Sequence, residues 1–216
     1  MNVSHHRKTF HKGGLNMTKQ LIISIGREFG SGGHEIAAEL AKRFSLPIYD
    51  YNLISKIADE KDMEPASFEK YDEVPKKIAF SKTVRGYSSS PEENIANIQF
   101  DYLRDKASSG ESFVVVGRCS EEILKEYEGL ITFFVHADLN VRIRRIADYE
   151  KISERKAEFL IKRRDKARKT YHNYYCSHKW GDYSFYDLSI NSSKLGIAKT
   201  TDFLESYIRQ KTGVVQ

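Results

Sequence analysis

Only two of the 216 residues are cysteine, Cys119 and Cys176, and they stand far apart with no C-x-x-C spacing. Neither a disulfide framework nor a zinc site is expected from such spacing, and a reducing cytoplasmic setting suits it. Apolar residues never run on for the roughly 18 positions that a membrane span requires, so no membrane association is expected. Charge of neither sign dominates: 35 Lys and Arg face 30 Asp and Glu, for a formal net charge of +5. So small and scattered an excess argues against a nucleic-acid binder, which concentrates its basic residues on one face, but it suits a small phosphate-bearing partner. The length fits one domain of ordinary size.

Proline is also scarce. Three of the four prolines fall between Lys61 and Pro91, where helical periodicity breaks down and Arg85-Gly86-Tyr87-Ser88-Ser89-Ser90 reads as a mobile surface loop. Arg85 is read there as a solvated loop residue, with a phosphate contact on closure as the other reading. Residues 1–16 are polar and basic and lack the apolar segment of a signal peptide, so they are expected to form a disordered extension to a folded domain at 17–216. His5, His6 and His11 are read as part of that tail rather than as a metal site.

What the chain does have is concentrated in Gln20 to Leu40, QLIISIGREFGSGGHEIAAEL. Leu21 to Ile25 is short, apolar and β-branched, and it stops at Gly26, which predicts a buried strand. Gly30, Ser31, Gly32 and Gly33 follow, and Ile36, Ala37, Leu40, Ala41 and Phe44 then recur at helical spacing. Strand, glycine loop and helix together make a phosphate cradle, because glycines let backbone N–H groups converge on an anion at a helix N-terminus. A glycine-rich turn that merely packs tightly is the competing reading. Against the P-loop pattern G-x-x-x-x-G-K-[ST], Gly33 stands where the lysine belongs, and Glu35 is read in the place of the hydroxyl. Arg27 is the nearest cation able to replace the lysine, and Glu35 is a candidate ligand for Mg2+.

Further along, Leu46-Pro47-Ile48-Tyr49-Asp50 predicts a short strand whose last residue, Asp50, either faces the ligand crevice or caps the next helix. Helices are expected from Asn52 to about Glu60 and from Glu92 to Ala107. The apolar strand Ser112 to Val116 runs into Gly117-Arg118-Cys119, which places a guanidinium at the crevice edge, where it can clamp a phosphate or carboxylate. Ile131 to His136 is a further apolar strand, with His136 closing it structurally. Strands apolar throughout and alternating with helices call for a mainly parallel sheet covered on both faces.

From Asp138 to Arg168 the basic residues gather. Asp138 is expected to cap a helix that buries Leu139, Ile143, Ile146 and Ala147 and leaves Arg142 and Arg145 on another face. A second helix from about Ser153 carries Arg163, Arg164, Asp165 and Arg168. The pair reads either as an arginine-bearing lid over a transferring phosphoryl group or as a salt-bridged, solvated hairpin. An aromatic cluster, Tyr171 to Tyr175 with Trp180 and Tyr183, either stacks a base or packs the hairpin onto the body. Ser184 to Asn191 predicts a last strand, and a closing helix is expected from about Gly196.

In this order GREFGSGGHEIA, PIYD, VVVGR, TFFVHADLNVRIRR, IKRRDKAR, YYCSHKWGD and YDLSINSSKLG resemble the cytidylate-kinase-like family of P-loop nucleotide kinases, from about Lys19 to the C-terminus. The resemblance implies an α/β P-loop kinase fold with a five-stranded, mainly parallel sheet, an acceptor-binding insert at about 50–111 and a lid at about 138–180. It also implies ATP and Mg2+, and a nucleoside monophosphate as the small-molecule acceptor. Carried over residue by residue, Gly30, Ser31, Gly32 and Gly33 hold the donor phosphates, Asp50 and Arg118 lie at the acceptor, and Arg164, Asp165 and Arg168 belong to the lid and serve catalysis with Arg118. From the residues themselves, His34, Glu35, Arg142 and Arg145 are added as candidates at the donor, Cys119 at the acceptor and Arg27 for catalysis. Cys119 replaces an aspartate that reads cytosine, and a thiol poorly replaces a carboxylate that accepts an exocyclic amine. Two other expectations stay open beside a phosphotransferase: a nucleotide-binding sensor that has lost its chemistry, and a small-metabolite kinase of the shikimate-kinase kind.

Overall fold

The structure, a computed structural model, describes residues 19–60, 83–84, 87–88 and 91–213. The expected tail at 1–16 and Arg85 lie outside them.

Five strands form one parallel sheet: β1 (Ile22–Arg27), β2 (Ile48–Tyr49), β5 (Phe113–Val116), β6 (Leu130–His136) and β7 (Leu188–Asn191), in the order β2-β5-β1-β6-β7. Two short strands, β3 (Thr83–Val84) and β4 (Tyr87–Ser88), pair antiparallel outside it. The helices are α1 (Gly33–Arg43), α2 (Leu53–Glu60), α3 (Pro91–Ser108), α4 (Ser120–Ile123), α5 (Leu139–Glu150), α6 (Glu154–Tyr175) and α7 (Ser192–Thr212). No helix among the described residues is long and apolar enough to cross a membrane.

The period of two within each strand splits its side chains between two cores. Ile23, Ile25, Val114, Val116, Phe133 and Val135 pack against Ile36 and Leu40 of α1 and Leu204 and Ile208 of α7. Ile22, Phe113 and Val115 face the other way, onto Leu53 and Ile57 of α2 and Tyr102 and Leu103 of α3. β1 lies in the middle of the order, so the loop that leaves it is braced from both sides.

Arg43, at the end of α1, ties that helix to α7. Its Nε donates to Glu39 Oε1 at 2.9 Å, and its Nη1 to Asp202 Oδ1 and Glu205 Oε2, both at 2.7 Å. Because the side chain is partly exposed, water screens this network. Arg43→Met is therefore expected to cost about 1 kcal/mol, read as a Tm lower by about 2–4 °C.

Three expectations change. The last strand starts at Leu188, not Ser184, because Asp182 accepts from Ser184 N and Oγ and holds Tyr183–Phe185 in a 3-10 turn. The aromatic run Tyr171 to Tyr175, by contrast, is as expected of its packing alternative: it ends α6, and Tyr171 and Tyr175 pack with Phe100 of α3. In α5 the inward face carries Arg142, 7% exposed, while Leu139 is 41% exposed. Asp138 stands at the N-cap of α5 but makes no capping bond with its side chain, which instead accepts from Asn191 Nδ2 and Lys194 Nζ.

Candidate active site

The glycine loop leaves β1 at Glu28 and enters α1 at Gly33. Gly30 and Gly32 adopt φ values of 79° and 83°, in the left-handed region that favours glycine. Neither has room for a side chain: a Cβ at Gly30 would lie 2.9 Å from Ile146 Cγ1, and one at Gly32 would lie 2.8 Å from Ile197. The loop is thus pressed between α5 and α7, with Ser192 Oγ donating to Ser31 O at 2.5 Å. These features fit an anion-binding cradle at the N-terminus of α1.

At Gly33 a Cβ would fall 2.6 Å from Arg27 Cβ. The Arg27 stem thus fills the space beside the position where a P-loop carries its lysine. Since the motif's hydroxyl directly follows that lysine, the count from Gly33 puts His34 in its place, which corrects the assignment of Glu35. His34 Nε2 lies 2.9 Å from Asp50 Oδ2, and Glu35 is exposed on the first turn of α1.

The basic hairpin of α5 and α6 is seated on the loop. Arg142 Nη1 donates to Phe29 O at 3.2 Å and to Asp165 Oδ2 at 2.6 Å, Arg145 Nη1 to Gly30 O at 2.8 Å, and Arg168 Nη1 to Arg27 O at 3.3 Å. Phe29 N donates to Asp165 Oδ1 at 2.8 Å, so both Asp165 oxygens are engaged between loop and hairpin. Arg164 and Arg168 lie over the Phe29 ring, 6.0 and 5.6 Å from its centroid. The salt-bridged hairpin is thus seated on the loop, with Arg142, Arg145 and Arg168 resting on backbone carbonyls of Phe29, Gly30 and Arg27.

Across the crevice, Gly117, Arg118 and Cys119 turn through φ values of 75°, 61° and 53°. That turn tucks Arg118 inward to 1% exposure, where its Nη2 donates to Asp50 O at 3.0 Å. Asp50 Oδ1 accepts from Asn52 N at 3.0 Å at the start of α2, the capping role expected of it. Burial alone would raise its pKa, but the His34 and Asn52 hydrogen bonds outweigh burial and hold it below the usual carboxylate range. A carboxylate whose folded pKa is depressed adds stability above its unfolded value, and that stability is lost as pH falls through the folded value. Denaturant unfolding of Asp50→Asn is accordingly expected to show a shallower loss of stability on acidification below about pH 4 than the parent chain.

Arg27, Arg118 and Arg168 line one cavity with Glu121, His172 and Trp180. It encloses about 20 Å³, room for about one water. Sequence reasoning missed Glu28, which accepts from Ala137 N at 3.1 Å, as well as the Phe29 clamp and Ser192. All three act through partners remote in the chain, and nothing local signals them. It also missed the buried group at the foot of α6. There Glu121 Oε1 lies 2.6 Å from His172 Nε2, and the Cys119 and Cys176 thiols meet despite their separation in sequence.

A five-stranded parallel sheet in this order, with a glycine loop between its central strand and the first helix and arginine-bearing helices over that loop, defines the α/β P-loop kinase fold. The chain belongs to the cytidylate kinase-like family, whose sequence profile matches residues 22–194. It is 28% identical over 177 residues to a cytidylate kinase of Pyrococcus horikoshii, covering 81% of each chain. A crystal structure of a protein from Eubacterium ventriosum shares 36% identity at a TM-score of 0.69, covering 88% of this chain and 98% of that one. Shikimate kinase from Bacteroides thetaiotaomicron, 13% identical with a TM-score of 0.52 over 88% of this chain and 98% of its own, shares the fold.

Proposed function

We propose that the protein transfers the γ-phosphoryl group of ATP to a nucleoside monophosphate or a similarly small phosphate acceptor. The observation that carries this reading is Arg118, held at 1% exposure on a left-handed turn and lining one cavity with Arg27 and Arg168. Three arginines line that cavity, and Arg168 also reaches Arg27 O at the end of the strand that leads into the glycine loop. Membership of the cytidylate kinase-like family supports the same chemistry.

Gly30 to Gly33 and His34 receive the donor phosphates, and Arg27 supplies the charge of the absent lysine. Arg142 and Arg145 shape the loop by holding Phe29 O and Gly30 O, and Asp165 fixes Phe29 and Arg142. Arg164 and Arg168 approach the phosphoryl group from the hairpin, and Arg118 clamps the acceptor phosphate beside Asp50 and Cys119. Mg2+ neutralises phosphate charge in such reactions. Glu28 and Asp50 are engaged inside the protein, whereas Glu35 is exposed and is the carboxylate suited to an ion carried on the phosphates. An acceptor oxygen attacks the γ-phosphorus, the bond to the β–γ bridging oxygen breaks, and ADP leaves, with positioning and charge neutralisation as the protein's contribution.

One observation favours a second reading, a nucleotide sensor without turnover: Arg142, Arg145 and Arg168 already rest on loop carbonyls. ADP release from ATP and Mg2+ across CMP, dCMP, UMP, AMP, GMP and non-nucleotide acceptors separates the two. Acceptor-dependent release that Arg118→Ala abolishes is the expected result. ATP binding without any acceptor-dependent release would overturn the kinase assignment in favour of the sensor.

A further inference from the structure

Glu121, His172 and His178 are buried together, and their ligand atoms all lie within 4.8 Å of one another. They come from separate places in the chain: the short α4 that follows the Arg118 turn, the last turn of α6, and the loop beyond it. Glu121 Oε1 lies 2.6 Å from His172 Nε2 and 3.8 Å from His178 Nε2. A tetrahedral ion with bonds of about 2.0–2.2 Å sets neighbouring ligand atoms about 3.3–3.5 Å apart. The two Glu121 separations reach that range by shifts of under about 1 Å, and the two histidine ligand atoms, within 4.8 Å of each other, by about 1.5 Å or less.

An ion pair between Glu121 and His172 leaves His178 unexplained. Its residue is only 7% exposed, and neither ring nitrogen makes a hydrogen bond. Two polar atoms kept from water in this way are costly unless something else engages them. The surroundings also match the support that metal-bound histidines receive. His178 Nδ1 faces Glu122 Oε2 at 3.5 Å, Glu122 in turn accepts from Lys125 Nζ at 3.0 Å, and a carboxylate behind the non-ligating nitrogen orients an imidazole for a metal. Phe185 stacks on the His178 ring at 4.1 Å and 8°, and Tyr186 Oη donates to Glu121 Oε1 at 3.3 Å, fixing the ring and the carboxylate.

We infer that Glu121, His172 and His178 form a site for a zinc-class divalent ion, His178 binding through Nε2 and a fourth position open to the cavity that Glu121 and His172 line. Two imidazoles and one carboxylate favour Zn2+ over Mg2+, which takes an all-oxygen shell. Cys176 also reaches the His172 ring, and Glu121, Glu122 and His172 surround that of His178. The ion pins the end of α6 to the helix that follows Arg118, beside the cavity that Arg118 lines.

The test uses the full chain carrying His5→Ala, His6→Ala and His11→Ala, which removes the tail histidines as a competing site. Calorimetric titration with Zn2+ is expected to show one equivalent bound, and Co2+ to give the intense visible bands of a tetrahedral site that Zn2+ then displaces. Free zinc at one hundred times Kd is expected to raise Tm by about 5–10 °C. His178→Ala and, separately, His172→Asn are expected to abolish the cobalt bands and the shift in Tm while each variant still melts cooperatively. Absence of stoichiometric binding in the tail variant, or binding and cobalt bands unchanged in His178→Ala, would overturn the site.

Discussion

Arg118→Lys is expected to lower kcat/KM for the phosphate acceptor by about 100-fold or more, about 2.7 kcal/mol, while leaving the KM for ATP nearly unchanged. The substitution keeps the charge and removes the fork. Arg118 is 1% exposed and bridges the ends of β5 and β2 through its bond to Asp50 O, and a guanidinium does this while presenting further N–H groups to a phosphate. A lysine ammonium placed in the same turn cannot hold Asp50 O and a bidentate partner together. Steady-state kinetics with the acceptor varied at saturating ATP reads the loss. Unchanged acceptor kinetics would remove Arg118 from the acceptor site.

The second large effect concerns the missing lysine. Arg27→Ala is expected to lower kcat by about 10²–10³-fold, the range for removing one pre-organised charge or donor from a transition state. Restoring the motif by Gly33→Lys does not improve the enzyme, because its Cβ would fall 2.6 Å from Arg27 Cβ and 3.4 Å from Val135 Cβ. That variant is expected to be both less stable and less active. In the double variant Arg27→Gly/Gly33→Lys the obstructing Cβ is gone, and kcat is expected to recover at least tenfold over Arg27→Gly alone. Failure to recover, with normal folding, would mean that Arg27 and the motif lysine do not share one role.

The strands were legible because each is a local pattern. Ile22–Ile25, Phe113–Val116 and Ile131–Val135 are short, apolar and bounded by turn residues, and alternation assigns their side chains to the two cores without knowledge of any partner. Gly30 and Gly32 were legible for the same reason. The error at α5 shows where this reasoning stops. Arg142 was assigned to a face other than the buried one, but it packs inward because Glu28, Phe29 and Asp165 meet it there, and those residues are distant in sequence. Likewise, spacing gave the two cysteines no relation, yet the ends of β5 and α6 bring them together. Composition registers neither a hydrogen bond to a remote carbonyl nor a histidine's buried surroundings.

The turn at Gly117-Arg118-Cys119 bears on how this protein can change. Arg118 and Cys119 are non-glycine residues in the left-handed region, each about 1 kcal/mol or more above a relaxed backbone. Against a total stability of about 5–15 kcal/mol, that is a noticeable share held in two residues. Thermal selection and selection for turnover therefore oppose one another at this turn. A glycine at Cys119 would relax the backbone and delay melting, and by loosening the arginine beside it would slow the acceptor step, so gains in heat resistance that spare activity have to come from elsewhere in the chain.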